Sequence, residues 1–435
     1  MNQPAPAATR HRFIDWIWSG LSTTAAQAIV QGLGFAAGIL VVRCLSVREY
    51  AFYTIATTGL GAMSVLTDGG IGTSVMALGG AAWQDREKLG AVIAAGIRMR
   101  QRFSWAAMLI GVPLMIFLMR RLGAAWTEAV LIALSVVPAF LATVTGHLLE
   151  TAPRLHQALL RLQLVQVANN AIRLLLTALV IPFWPLAALA NLAAAVPQWW
   201  ANRRLRHMAD DWAAWRTPAD PGIGERIASQ VRRTLPGCVY YAFSGQLMVW
   251  LISLFGRTSN VAAIGALGRL AMAFAVFGLA FNALAVPRFA RIPADDTARI
   301  RRRYVQSQAL FTAACTLPVI LLALLPGPFL ALLGPNYLGL RHEVVLVGIA
   351  SVATLASGAA YTLSAARGVI APPALTITAS ILLQVLLIVA LPMGTLAGVI
   401  WVGILTSVGQ WLIYFVNFML HQRRNILRTT IPPAP

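Results

Sequence analysis

Long apolar runs separated by short polar stretches recur along the whole chain, and this alternation predicts its elements. Twelve runs stand out, at 19–42, 50–80, 92–118, 126–149, 162–181, 185–201, 236–255, 261–287, 305–333, 343–365, 373–392 and 395–420. Each is close to, or above, the roughly 20 residues a helix needs to cross bilayer hydrocarbon. Several exceed about 25 residues, which implies tilt or helix ends projecting beyond the hydrocarbon. The pattern therefore predicts an all-α polytopic membrane protein with about 12 transmembrane helices.

One long polar stretch interrupts the series. Residues 202–235, "NRRLRHMADDWAAWRTPADPGIGERIASQVRRTL", carry Pro218, Pro221, Gly222 and Gly224, which punctuate a linker. It divides the spans six and six. The expected organisation is an N-terminal six-helix lobe at 1–205, a linker at 206–235, a C-terminal six-helix lobe at 236–425 and a tail at 426–435. A repeat at an offset of 211 supports two halves. "REYAFYTIATTGLG" at 48–61 lies over "SNVAAIGALGRLAM" at 259–272, and "DREK" at 85–88 over "DTAR" at 296–299. Each half carries a proline in its next span, Pro113 and Pro318. Both halves begin on the same side, as in repeat-built transporters with parallel repeats.

Composition strengthens this picture. The chain is 58% hydrophobic and only 11% charged, with mean hydropathy +0.72, unlike a soluble domain. Its 34 basic residues outnumber 14 acidic ones, for a net charge of +20. In a soluble protein that balance would suggest nucleic acid. Here it orients the spans, because basic residues keep loops on the cytoplasmic side. With the N-terminus inside, the inside loops hold about 26 of the 34 and the outside loops about six. Both termini are therefore expected in the cytoplasm, and no nucleic-acid partner is expected. The N-terminus lacks a cleavable signal pattern. Cys44, Cys238 and Cys315 fit no metal spacing and read as packing residues.

Three segments, 43–77 with its Glu49-Tyr50-Ala51 turn and Asp68-Gly69-Gly70 element, 251–291 and 329–355, together resemble bacterial polysaccharide flippases, the polysaccharide-transport branch of the multidrug/oligosaccharidyl-lipid/polysaccharide exporter superfamily. "RCLSVREYAFYTIATTGLGAMSVLTDGGIGTSVMA" (43–77) is similar to that family's N-terminal signature. Glu49-Tyr50-Ala51 stands for a Glu-Tyr-Gly-like turn, with its Gly replaced, and Asp68-Gly69-Gly70-Ile71-Gly72 for an Asp-Leu-Gly-like element. "LISLFGRTSNVAAIGALGRLAMAFAVFGLAFNALAVPRFAR" (251–291) resembles its seventh and eighth spans. "FLALLGPNYLGLRHEVVLVGIASVATL" (329–355) resembles the turn between its ninth and tenth. The resemblance covers most of residues 13–420. It implies two lobes around a central cavity that alternates its opening. The implied task is to move a polyprenyl-diphosphate-linked oligosaccharide from the inner to the outer leaflet of the bacterial inner membrane. Glycosyltransferases and a polymerase of the same pathway would be partners, beside the membrane lipids.

Such a cavity needs positive charge for phosphate and amides for sugar. Ionisable residues within spans cost about 2.5–3.5 kcal/mol on insertion scales, so each is a functional candidate. Arg269, inside the apolar run 262–287, and Arg173, in the fifth span, are the two arginines that no loop accounts for. A guanidinium can fork phosphate oxygens and stays charged. Each can instead bind helix carbonyls or tie helices together. Arg98, at the inner start of span three, and Arg367, at the inner end of span ten, complete the diphosphate candidates. Gln27 and Gln31 share a face of span one, and Gln246 occupies the comparable part of span seven. Spans one and seven line the cavity in the family, so these three are sugar candidates, with interhelical hydrogen bonding as the alternative.

Asp68 is the only carboxylate well inside a span, and an ion-coupled transporter needs such a group. The following glycines suggest close helix packing, and so a packing or partner role. His147 and Glu150, one turn apart, form a second proton-handling candidate. The chain has no glycine-rich phosphate loop with its lysine and no nucleophile–base set, and its only lysine is Lys88. No cofactor, metal or enzymatic chemistry is expected. The rival readings are an ion-coupled multidrug-type antiporter, whose cavity should be acidic; a polysaccharide polymerase or ligase, which should carry large outside loops; and a scaffold without transport.

Overall fold

The computed structural model describes residues 8–215, 221–293 and 296–430; for 8–24, 221 and 424–430 it describes the backbone alone. Among the described residues the chain is helical throughout, in two compact units, Met1–Ser244 and Gly245–Pro435.

The first unit contains α1 (Ala8–Cys44), α2 (Val47–Asp68), α3 (Ile71–Ala81), α4 (Arg86–Arg121), α5 (Trp126–Leu149), α6 (Thr151–Leu155), α7 (Leu159–Val180), α8 (Ala187–Trp212) and α9 (Pro221–Ser244). The second contains α10 (Leu247–Phe255), α11 (Thr258–Met272), α12 (Ala275–Ala290), α13 (Thr297–Leu324), α14 (Pro326–Leu333), α15 (Arg341–Ala365), α16 (Pro373–Ala390) and α17 (Leu396–Thr430). Among the described residues nine helical stretches are long and apolar enough to cross a membrane, or ten if α9 and α10 form one interrupted span. With α9 and α10 taken as one span, the α2–α3 pair and α8 bring the ten to the twelve expected. The pair is interrupted, and α8 becomes strongly polar after residue 201. Large apolar side chains such as Leu109, Leu310 and Val389 stand fully outward, as lipid-facing positions of a multi-pass membrane protein do.

Local chemistry sets the helix ends. Ser46 accepts the Glu49 N–H and caps α2. Asp85 accepts the N–H groups of Glu87 and Lys88 and caps α4, and Asp296 accepts the Arg299 N–H and caps α13. Asp85 and Asp296 are the two aspartates aligned by the 211-residue repeat, so the repeat marks equivalent helix starts.

Three expectations need correction. Runs 236–255, 261–287 and 305–333 are each divided between two helices, and run 50–80 breaks at Gly69 and Gly70, both in the left-handed region (φ +48° and +90°), where a side chain would be strained. The expected linker 206–235 is largely helix: α8 runs to Trp212 and α9 begins at Pro221. Ile227 and Val231, four apart, are buried among Ile71, Val75, Leu89 and Ile93, so α9 joins the first unit's core. The third span, expected at 92–118, begins earlier: residues 86–103, whose basic residues count among those on the inside, already form the first half of α4.

The first unit's core gathers side chains from α3, α4, α5, α7, α8 and α9. Ala214 donates its backbone N–H to the Arg86 carbonyl at 3.0 Å, fastening the end of α8 to the start of α4. The second unit is built on aromatic packing. Tyr304 stacks on Phe418 at 4.0 Å, with Phe289, Phe281 and Phe311 around them.

Candidate functional site

The break after Asp68 organises the first unit's interior. Asp68 ends α2, and its Oδ1 accepts the Gly72 N–H at 3.3 Å in the first turn of α3. Gly69 and Gly70 supply the left-handed turn. The second also clears space for α9: a Cβ on Gly70 would lie 2.3 Å from Thr234 Oγ1. That hydroxyl donates to the Gly69 carbonyl at 2.9 Å. The Asp-Gly-Gly element is thus a helix break, a cap and a docking point for a third helix.

Asp68 also holds an ion pair. Its carboxylate receives the guanidinium of Arg100, from α4. Arg100 is buried and donates a second bond to the Val144 carbonyl of α5 at 3.1 Å. One side chain thereby ties α2, α4 and α5. Glu150 supplies a second carboxylate to the electrostatic surroundings of Arg100.

Glu150 opens a further chain of contacts. Arg154 donates to its Oε2 at 2.5 Å. Gln166, on α7, donates to its Oε1 at 3.4 Å. Gln27, on α1, donates to Gln166 Oε1 at 3.3 Å. His147 is exposed and lies in the field of Glu150, Arg100, Asp68 and Arg154. On the same α7–α8 side, Asn169 donates to Gln198 at 3.1 Å and Asn202 to the Ala142 carbonyl at 2.5 Å.

The three expected ion-handling residues, Asp68, His147 and Glu150, therefore share one electrostatic cluster, and Gln27 joins it through Gln166. The cluster sits on helices expected to cross the membrane and balances its charge: two carboxylates face two guanidiniums. Among the described residues no group of three or more potential metal ligands occurs.

Other expected site residues fall elsewhere. Arg98 is exposed on α4, two positions from the buried Arg100. Gln31 and Arg173 are half-buried on α1 and α7. Arg269, Arg367 and Gln246 belong to the second unit. Arg269 lies in the last turn of α11, three residues before Met272, within the apolar stretch Thr258–Ala290 that α11 and α12 form together. A cation there complements the negative end of the helix dipole. Arg367 donates to the Ala290 and Ile292 carbonyls at 3.2 and 2.7 Å, closing the C-terminal end of α12. Gln246 stands at the start of α10.

Sequence reading missed Arg100 and Gln166. The signal for Arg100 was the buried face of α4, on which Ile93, Ile97, Arg100, Ser104 and Ala107 recur at helical spacing. Glu49, of the Glu-Tyr turn, also gains a role: its carboxylate accepts the Ala187 N–H at 2.7 Å and holds the start of α8.

No protein-family model and no curated protein matches the chain. Solved structures do. An inward-facing multidrug resistance MATE family transporter of the MOP superfamily aligns over 94% of this chain and 100% of its own, with TM-score 0.63 and 14% identity. Lipid II flippase MurJ, in an inward closed conformation, aligns over 95% of this chain and 94% of its own, with TM-score 0.71 and 10% identity. The eukaryotic MATE transporter AtDTX14 aligns over 95% and 100%, with TM-score 0.63 and 16% identity. These are transporters and a flippase rather than enzymes. At such identities the likeness concerns the fold: this chain is an all-α polytopic membrane protein with the fold of MATE and MurJ transporters.

Proposed function

We propose that the chain is a flippase for a polyprenyl-diphosphate-linked oligosaccharide, working by alternating access in the bacterial inner membrane with both termini in the cytoplasm. The observation that carries this reading is the charge state of the spans. Asp68, the one carboxylate expected deep in a span, is already paired with Arg100. An exporter of lipophilic cations needs an acidic interior with carboxylates free to receive them. Arg173 and Arg269 add positive charge within the expected spans. That balance suits an anionic headgroup. The fold shared with a lipid II flippase is compatible with such cargo.

In this reading Arg269, Arg173, Arg98 and Arg367 supply positive charge toward the diphosphate, and Gln27, Gln31 and Gln246 supply amides toward the sugar. Asp68, His147 and Glu150 form the coupling element. Protonation of Asp68 or Glu150 would leave Arg100 or Arg154 short of its counter-charge and favour a rearrangement of the helices they join. Glycosyltransferases and a polymerase of the same pathway would supply and consume the cargo.

Binding by the purified protein tests the reading. A polyprenyl diphosphate bearing a short oligosaccharide should bind at least about tenfold tighter than a lipophilic cation of similar size, a difference of about 1.4 kcal/mol. Tighter binding of the cation would favour the multidrug-type antiporter.

A further inference from the structure

A groove of about 520 Å³ opens on the first unit between α4, α5 and α8. None of the expected substrate residues lines it. Its volume lies within the roughly 300–1,000 Å³ of small-molecule sites.

The walls are apolar and outward. Trp105 of α4, Leu141 of α5 and Trp199 of α8 line it while being 71%, 38% and 49% exposed. The separation of α5 and α8 is fixed by two hydrogen bonds. Trp199 Nε1 donates to the Pro138 carbonyl at 3.0 Å, and Asn202 donates to the Ala142 carbonyl. One end of the groove is strongly basic. Arg203 and Arg206, three apart on α8, share a helix face, both are exposed, and no carboxylate lines the groove. They lie where α8 changes from the apolar stretch ending at Ala201 to "NRRLRH". That change marks the depth at which a membrane helix leaves hydrocarbon for headgroups.

We infer that this groove is a binding site for an anionic phospholipid of the surrounding bilayer. Its phosphodiester would lie between Arg203 and Arg206 and its acyl chains along Trp105, Leu141 and Trp199. A guanidinium pair matches phosphate oxygens in charge and geometry. The exposed aromatic walls match chains and glycerol at the interface, and a basic pocket between membrane helices is a recognised headgroup environment. The bound lipid bridges α4, α5 and α8, of which α4 and α5 also carry Arg100 and its carbonyl partner. Occupancy therefore stabilises the first unit.

Native mass spectrometry of the full-length protein in detergent tests this, with phosphatidylglycerol and phosphatidylcholine of identical acyl chains added in turn. The wild type should retain phosphatidylglycerol about tenfold more than phosphatidylcholine, and phosphatidylglycerol should raise its thermal midpoint. Arg203→Gln/Arg206→Gln should abolish both effects. Arg232→Gln/Arg233→Gln, exposed residues of α9 with the same charge change, should leave both intact. Thr145→Phe, which fills the groove without altering charge, should lower retention of both lipids. Inorganic phosphate should not displace the lipid. Equal retention of the two lipids by the wild type would overturn the inference. So would undiminished preference in the Arg203/Arg206 variant, equal loss in the Arg232/Arg233 control, or displacement by phosphate alone.

Discussion

The guanidinium of Arg100, buried in α4, closes on the carboxylate of Asp68 at the point where the second span breaks. The pair joins two features that chain order keeps 32 residues apart. It also makes Asp68, the carboxylate expected well inside a span, half of a bridge.

Removing either partner should expose that dependence. Asp68→Asn leaves Arg100 buried without its counter-ion, and Arg100→Met leaves Asp68 unpaired. A fully buried pair broken on one side costs about 3–5 kcal/mol. The Asp68 side chain is 37% exposed, so solvent screening reduces this to about 1–3 kcal/mol for each single variant. The double variant should lose clearly less than the sum. Thermal midpoints of the detergent-purified proteins measure this. Additive losses would mean that the two side chains do not act together.

Gly70 should resist substitution for two separate reasons. Its φ of +90° disfavours any side chain, and the new Cβ would meet Thr234 Oγ1. Gly70→Ala should cost at least about 1–2 kcal/mol from the backbone alone. Adding Thr234→Ala should restore only the steric part. Complete rescue would show that the left-handed turn is not required.

The cap at Asp85 gives a pH dependence with a definite sign. The backbone N–H of Lys88, then its ammonium, hold the Asp85 carboxyl below the usual carboxylate range. A carboxyl depressed in the folded state contributes stability above its unfolded pKa of about 3.9 and loses it as pH falls through the folded value. The thermal-midpoint advantage of wild type over Asp85→Ala should therefore be full at pH 6 and shrink below about pH 4. An advantage unchanged down to pH 3 would mean that the ionised form is not what caps α4.

The amide relay predicts a separation of transport from stability. Gln166→Leu removes both the Gln27 contact and the Glu150 contact, while Arg154 keeps Glu150 paired at 2.5 Å. Stability should fall by no more than about 1 kcal/mol. If Glu150 takes part in coupling, the response of transport to an imposed proton gradient should change. An identical gradient response in wild type and variant would remove Glu150 from the coupling element.

Much of this was legible in the sequence, and the exceptions have physical causes. Run lengths place the spans because hydrocarbon thickness fixes helix length. Asp85 and Asp296 mark helix starts because a capping carboxylate is a local requirement. Arg100 was hidden because counting arginines by side of the membrane treats every one near a span end as solvated. Only the helical period through Ile93, Ile97 and Ser104 turns it inward. Helix α9 was masked by Pro221, Gly222 and Gly224, which signal a turn yet stand in its first turn. The four-residue spacing of Ile227 and Val231 was the better guide. The Gln27–Gln166–Glu150 relay joins α1, α7 and the end of α5, and no local pattern encodes such a meeting.

Transport itself tests the central claim most directly. The protein would be reconstituted in liposomes with a fluorescent polyprenyl-diphosphate oligosaccharide, and movement between leaflets read by accessibility to an external quencher. The wild type should translocate the lipid, and Arg269→Ala and Arg173→Ala should each slow it by at least about tenfold, with Arg269→Lys partly active. A wild type that leaves this lipid in place while exporting a lipophilic cation would contradict the account.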